Sequence, residues 1–116
     1  MPPPYHYRAA SQSLSPVATQ APPLGFLRQV NVRPVEAQLQ PGDALVWLSD
    51  GFEERLDRQG QMWGDEQVAL SLERVCREES RAEGIARRMI EACDSAAGGR
   101  VNDDDMTIVV AKVKLG

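Results

Sequence analysis

Apolar residues recur at two different periods along this chain, and the changes of period mark its elements. Pro2 to Arg8 is held extended by its prolines, and Tyr5 and Tyr7 alternate as one face of a strand would. Ala9 to Pro23 is rich in Ser, Gln, Ala and Pro and reads as a flexible loop. From Gln29 a strand-like alternation appears: Val30 and Val32, then Val35, Ala37 and Leu39 in shifted phase beyond Pro34. A phase shift at a proline points to a bulge or an edge position. Pro41-Gly42-Asp43 is a turn, and Ala44 to Leu48 is a short continuous apolar run, expected to be a strand buried on both faces.

The period then becomes helical. Val68, Leu72, Val75 and Cys76 recur at i, i+4, i+7 and i+8, with Asp65 and Glu66 in the first turn, where carboxylates favour a helix start. Ser80-Arg81-Ala82-Glu83 has the form of a capping box, followed by an apolar stripe of Ile85, Met89, Ile90 and Cys93. Gly98-Gly99 ends that helix, and Thr107 to Leu115, dominated by β-branched residues, returns to a strand. Strands, two helices and a closing strand predict an α+β layer arrangement.

A length of 116 residues allows one small domain. The net charge of −4 leaves no basic stripe to displace counterions, which excludes nucleic acid as a natural partner. No apolar stretch approaches the roughly 20 residues that span a bilayer, and Met1-Pro2-Pro3-Pro4 lacks a signal layout, so a cytoplasmic location is expected, without membrane contact. Cys76 and Cys93 fall on helix faces rather than in a CxxC pair, which favours two buried thiols over a disulfide or a zinc site. His6, the one histidine, is a poor transition-metal site alone and is expected to be structural or exposed.

Acid interrupts buried strands at two places. The first is Leu48-Ser49-Asp50-Gly51-Phe52-Glu53-Glu54, where a core strand runs into an aspartate followed by a glycine that lets the backbone turn sharply. A carboxylate at the end of a rigid strand is well placed for a hard cation. The second is Asp103-Asp104-Asp105-Met106-Thr107, three acids directly before the last strand. Adjacent carboxylates repel unless a cation or solvent lies between them, and Mg²⁺ or Mn²⁺ suits such oxygen-rich places. Taken singly, the first motif is most often only a turn and the second a solvated loop. Together they sit at the ends of apolar strands that one sheet could bring to a common rim.

The stretch from Leu39 to Glu54 closely resembles the L-x-PGD-x-L-hhh-[ST]DG-x-x-E segment of SpoIIE-like, PPM-type protein phosphatases. Gly60-Gln61-Met62-Trp63-Gly64-Asp65-Glu66 is similar to that family's GE-x-[FY]G-x-E turn into a helix, and Asp104 to Val110 is similar to its DD-[IM]-T-hhh closing strand. Pro2-Pro3-Pro4 and Pro23-Leu24-Gly25 resemble its P-P and PLG segments. No single piece is specific; the ordered set carries the resemblance over nearly the whole chain.

The resemblance implies a PPM-type β-sandwich flanked by helices, with a two-metal site on its rim for Mg²⁺ or Mn²⁺. Asp50 and Asp104 match the metal-binding aspartates. Gly51 would hold the tight turn, Asp105 would support the site, and Glu54 would serve packing or hydrogen bonding rather than catalysis. Asp103 has no counterpart and is expected to be solvated. The implied reaction is hydrolysis of phosphoserine or phosphothreonine on a bacterial signalling protein, such as an anti-sigma-factor antagonist, by a metal-activated water without a protein nucleophile.

The family's earlier half carries a further bridging aspartate, whereas no acid precedes Glu36 here. Residues 1–116 are therefore expected to form a single, incomplete C-terminal half of the domain. It would be inactive alone, prone to self-association, and dependent on the missing half or an attached sensor domain. Two other readings remain at this level: a non-catalytic pseudophosphatase that docks a regulator, and an unrelated small α+β domain. An EF-hand order of acids is absent from the Asp103–Asp105 segment, which weakens a calcium-sensor version of the latter.

Overall fold

A computed structural model describes residues 4–17, 39–99 and 106–113. The elements follow in the order β1 (Tyr5–Arg8), β2 (Ser13–Pro16), β3 (Ala44–Leu48), α1 (Asp65–Glu78), α2 (Ala82–Ala97) and β4 (Ile108–Lys112). The strands form an antiparallel sheet in the order β2-β1-β3-β4. The α+β arrangement is as the periodicity predicts. One sheet and two helices are present among the described residues, so the sandwich expected from the resemblance is represented by one of its layers.

Register decides which side chains meet the helices. Tyr7 lies opposite Ala44, Tyr5 opposite Val46, and across the next ladder Val46 faces Val110 and Leu48 faces Ile108. With a side-chain period of two, these residues share one face, and they pack with Val68, Leu72, Val75, Cys76, Ile85, Met89 and Cys93 from the two helices. β3 is therefore not equally buried on both faces. Ala44, Val46 and Leu48 are buried, whereas Leu45 and Trp47 on the opposite face are only half-buried.

All four apolar positions predicted for α1 are buried. On α2 the stripe is Ile85, Met89, Cys93 and Ala97, with Gly84 beside it. Ile90 is 36% exposed and does not belong to it. It sits about 140° around the helix from Ile85, beyond the width of the buried face. The expected capping box does not form either. Arg81 occupies the N-cap with no side-chain cap bond, so Ser80 lies one residue outside and Glu83 one residue short of the reciprocal position. The helix ends as expected, on Gly98 in the left-handed conformation, whose N–H reaches the carbonyls of Asp94 and Ser95. Arg88 of α2 ties the two helices by bonding Glu78 at the end of α1.

Within the segment expected to be a loop, Ser13–Pro16 forms β2, paired residue for residue with β1. Gln12 takes the left-handed conformation (φ 52°) that the tight reversal between them needs. The strand expected over Gln29–Leu39 lies, apart from Leu39, outside the described residues.

The β1–β2 reversal is tied to the start of β3 by a buried polar clasp. His6 Nε2 lies 2.8 Å from Asp43 Oδ2, and both residues are only 3% exposed. The backbone N–H groups of Ala9 and Gln40 donate to the same carboxylate, each at 3.0 Å. Burial works to raise the Asp43 carboxyl. Hydrogen bonds from Gln40, His6 and Ala9 outweigh it and hold the group below the usual carboxylate range. His6 is thus structural and buried, which removes the alternative that it is exposed.

Candidate metal-ligand site

β3 and β4 continue to pair one step beyond their last ladder residues. The Ser49 N–H donates to the Thr107 carbonyl and the Thr107 N–H donates to Ser49 Oγ, both at 2.9 Å. A side-chain oxygen thus replaces a backbone acceptor and fastens the end of one strand to the start of the other. Immediately after Ser49 the chain turns: the Phe52 N–H reaches the Ser49 carbonyl (3.2 Å), and the Glu54 N–H reaches the Asp50 carbonyl (3.0 Å).

Asp50 is exposed on that turn and takes part in no side-chain hydrogen bond or ion pair among the described residues. Its backbone is held on both sides. Ser49 is fixed to Thr107, and Phe52 is 1% exposed within the core. Gly51 is buried but is not among the glycines with positive φ, which are Gly42, Gly60, Gly64, Gly98 and Gly99. The turn at Gly51 therefore forms without a left-handed glycine. Glu54 is exposed, and its backbone N–H bonds the Asp50 carbonyl.

Beyond Glu54 the chain makes a narrow loop closed by Trp63 N–H to Arg55 carbonyl and Gly64 N–H to Glu53 carbonyl, both 2.8 Å. Asp57 Oδ1 accepts the N–H groups of Gln59 and Gln61 at its tip. Gly64, at φ 87°, then delivers α1, as the turn-into-helix motif predicts.

Arg55 and Cys93 connect this loop to α2 and to the start of β4. The Arg55 guanidinium bonds Asp94 of α2 and reaches Met106 Sδ at 3.8 Å. The Cys93 thiol contacts the Phe52 carbonyl at 3.9 Å and Met106 Sδ at 3.7 Å. The bond to Asp94 raises the Arg55 pKa against the opposing effect of burial, and burial raises that of Cys93. Neither Arg55 nor the His6–Asp43 pair was singled out by sequence pattern. A charged residue three positions after a buried phenylalanine, with no periodic match, carries no signal of where it points. Asp43 was legible only as a turn residue.

Asp103, Asp104 and Asp105 lie outside the described residues. Among the described residues no group of three or more His, Cys, Asp or Glu gathers to hold a metal ion. The Asp50 carboxylate fits one position around a hard divalent cation: an oxygen donor, uncommitted to any other group, on a turn fixed by the sheet and the core. One such ligand does not retain an ion by itself.

The family described as Stage II sporulation protein E (SpoIIE) matches residues 1–114. The chain belongs to the SpoIIE family. The phosphatase domain of SpoIIE from Bacillus subtilis, manganese-presoaked, superposes with a TM-score of 0.69 at 24% identity, over 98% of this chain and 47% of that one. The SiaA PP2C domain of Pseudomonas aeruginosa gives 0.68 at 17% identity, over 97% of this chain and 44% of that one. The chain thus spans less than half the length of these solved domains. No curated protein matches it. At these identities the structural likeness establishes a partial PP2C-type fold, and the SpoIIE family motifs named above fall on the β3 turn, the loop before α1 and the start of β4. Among the described residues no helix is long and apolar enough to cross a membrane.

Proposed function

We propose that this chain supplies part of the divalent-metal centre of a SpoIIE-type phosphatase acting on phosphoserine or phosphothreonine in a signalling protein, with Asp50 and Asp104 as ligands. The observation that carries this reading is the Ser49–Thr107 pairing, which sets the turn bearing Asp50 beside the chain that leads back to Asp104. Three peptide steps lead from Asp104 to Thr107, so covalent geometry keeps their Cα atoms within about 11 Å. The reading requires the two carboxylates to meet at that end of the β3–β4 pair.

Bound Mg²⁺ or Mn²⁺ would supply an activated water and offset charge on the phosphoryl oxygens. The part of this chain is to hold carboxylates there. Asp50 is presented by a turn whose position the sheet and Phe52 fix, and Asp105 would support Asp104 in the sequence that leads into β4. The substrate would be a phosphoprotein of the anti-sigma-factor antagonist type, met in the cytoplasm.

Two carboxylates leave a two-ion centre short of ligands, so residues 1–116 alone are expected to bind the ion weakly and to turn over little substrate. Half-buried Leu45 and Trp47 and exposed Val109 on the sheet face away from the helices favour self-association or docking of a completing segment. The test is hydrolysis of a phosphoserine peptide by the purified chain with Mn²⁺, alone and with the ligand-bearing N-terminal half of a related SpoIIE-type domain added. Activity that appears on addition and disappears with Asp50→Asn supports the reading. Activity untouched by Asp50→Asn contradicts it.

A further inference from the structure

We infer that the end of the sheet away from Asp50 holds a binding site for a small carboxylate with an apolar body, set between β1, β4 and the last turn of α1. Its origin is one row of side chains on the helix-facing side of the sheet. Tyr7 of β1 lies opposite Ala44 of β3, and Ala44 lies opposite Lys112 of β4. Two long side chains thus flank a single methyl group, with their Cα atoms about 10 Å apart. The helices do not fill the gap. A cleft of about 300 Å³ opens there, lined by Tyr7, Lys112, Pro41, Gly42 and the Cys76–Ser80 end of α1. Such a volume suits a small molecule. The length of β3, about 14 Å, separates the cleft from the Asp50 turn, so the inference is independent of the metal reading.

The polar groups of the cleft are left over by the fold. Tyr7 is 3% exposed, yet its hydroxyl makes no hydrogen bond among the described residues. A buried hydroxyl in that position is costly until a partner satisfies it. Lys112 Nζ reaches only the Glu79 carbonyl, at 3.5 Å, which leaves donors uncommitted. Arg77 on the rim takes part in no ion pair among the described residues.

Charge selects the ligand. Glu78 and Glu79 also line the rim, but Arg88 holds both of them. The carbonyl end of α1 carries about half a negative charge, against two full positive ones on Lys112 and Arg77. Burial pushes the Cys76 thiol up to about 12, so the thiol is neutral and adds no competing charge. One ammonium and one hydroxyl match the two oxygens of a carboxylate. The Tyr7 ring, Pro41 and Cys76 offer apolar walls to the rest of the molecule.

The experiment titrates the full 116-residue chain with 3-phenylpropionate and follows backbone amide shifts by NMR. A probe with about eleven non-hydrogen atoms is expected to bind with a dissociation constant on the order of 1 mM. Saturable shifts should centre on residues 7–9, 41–44 and 76–80. The uncharged 3-phenylpropionamide should bind on the order of tenfold more weakly. Lys112→Met, which keeps the apolar stem, should weaken the acid by a similar factor, and Tyr7→Phe by about fivefold. Tyr7→Phe removes a hydroxyl that bonds nothing among the described residues, so its urea midpoint should match the parent's.

The absence of saturable shifts in the parent at about 10 mM probe overturns the site. Shifts centred elsewhere, or an amide that binds as tightly as the acid, do the same. Parent affinity in both Lys112→Met and Tyr7→Phe also rules it out, because the cleft would then bind without the two groups assigned to the carboxylate.

Discussion

Ser49 and Thr107, 58 residues apart, are joined by two hydrogen bonds, one of them from a backbone N–H to the serine hydroxyl. This pairing joins the turn that carries Asp50 to the strand that follows Asp104. The side chain at position 49 acts as an extra rung of the ladder, its hydroxyl accepting the Thr107 N–H.

Ser49→Ala should therefore lower stability by about 1 kcal/mol, the usual net value of one such bond. Ser49→Thr should keep the bond and most of the stability. Urea unfolding of the three proteins checks this; an alanine variant as stable as the parent would show that water replaces the hydroxyl without loss.

Phe52 is the anchor beneath Asp50. It is 1% exposed and belongs to the same cluster as Leu72 of α1 and Ile85 and Met89 of α2. Truncation to alanine should cost roughly 3–5 kcal/mol from lost burial and the cavity left behind. Phe52→Leu should cost less. Denaturant midpoints at constant slope provide the measurement, and a Phe52→Ala midpoint equal to that of the parent would contradict the packing described.

The His6–Asp43 clasp gives stability a defined response to acid. The folded Asp43 carboxyl titrates below its ordinary value of 3.8. Its contribution is therefore complete above that value and is lost as pH falls through the lower, folded-state pKa. Asp43→Asn should flatten this part of the acid profile. It should also lower stability at neutral pH by about 1–3 kcal/mol, since an amide cannot accept from His6, Ala9 and Gln40 at once. Thermal unfolding between pH 3 and 7 tests both statements; a variant with the parent's acid dependence would remove Asp43 as its source.

Most of the frame was legible from residue order because it is periodic. Val68, Leu72, Val75 and Cys76 repeat at helical spacing and are buried, and Gly98 stops α2 where a left-handed residue is required. Readings that depended on one residue's offset fared worse. Ser80 and Glu83 have capping-box spacing, yet the helix starts one residue late for it. β2, with a single apolar residue, Leu14, exists because β1 offers it a partner, and pairing of that kind leaves no local pattern. At the site, Asp50 was visible as an acid at a strand end. Arg55 was not, because its role comes from a helix 39 positions further on.

Both cysteines should be silent in the folded protein. Burial pushes the Cys76 thiol up to about 12, and raises that of Cys93 as well. A thiol reagent at pH 8 should label neither cysteine until denaturant is added, and then both, since a free thiol titrates near 8.5. Rapid labelling of native protein would contradict the placement of either residue on the buried side of its helix.

The central claim is that Asp50 and Asp104 meet at one end of the β3–β4 pair to share a divalent ion. Paramagnetic broadening by substoichiometric Mn²⁺ in an amide NMR spectrum tests it most directly. The account predicts that amides around residues 49–52 and 104–107 lose intensity together, at the same Mn²⁺ concentration, and that Asp50→Asn restores both. Broadening confined to one of the two segments, or spread evenly over the acidic surface, would contradict it.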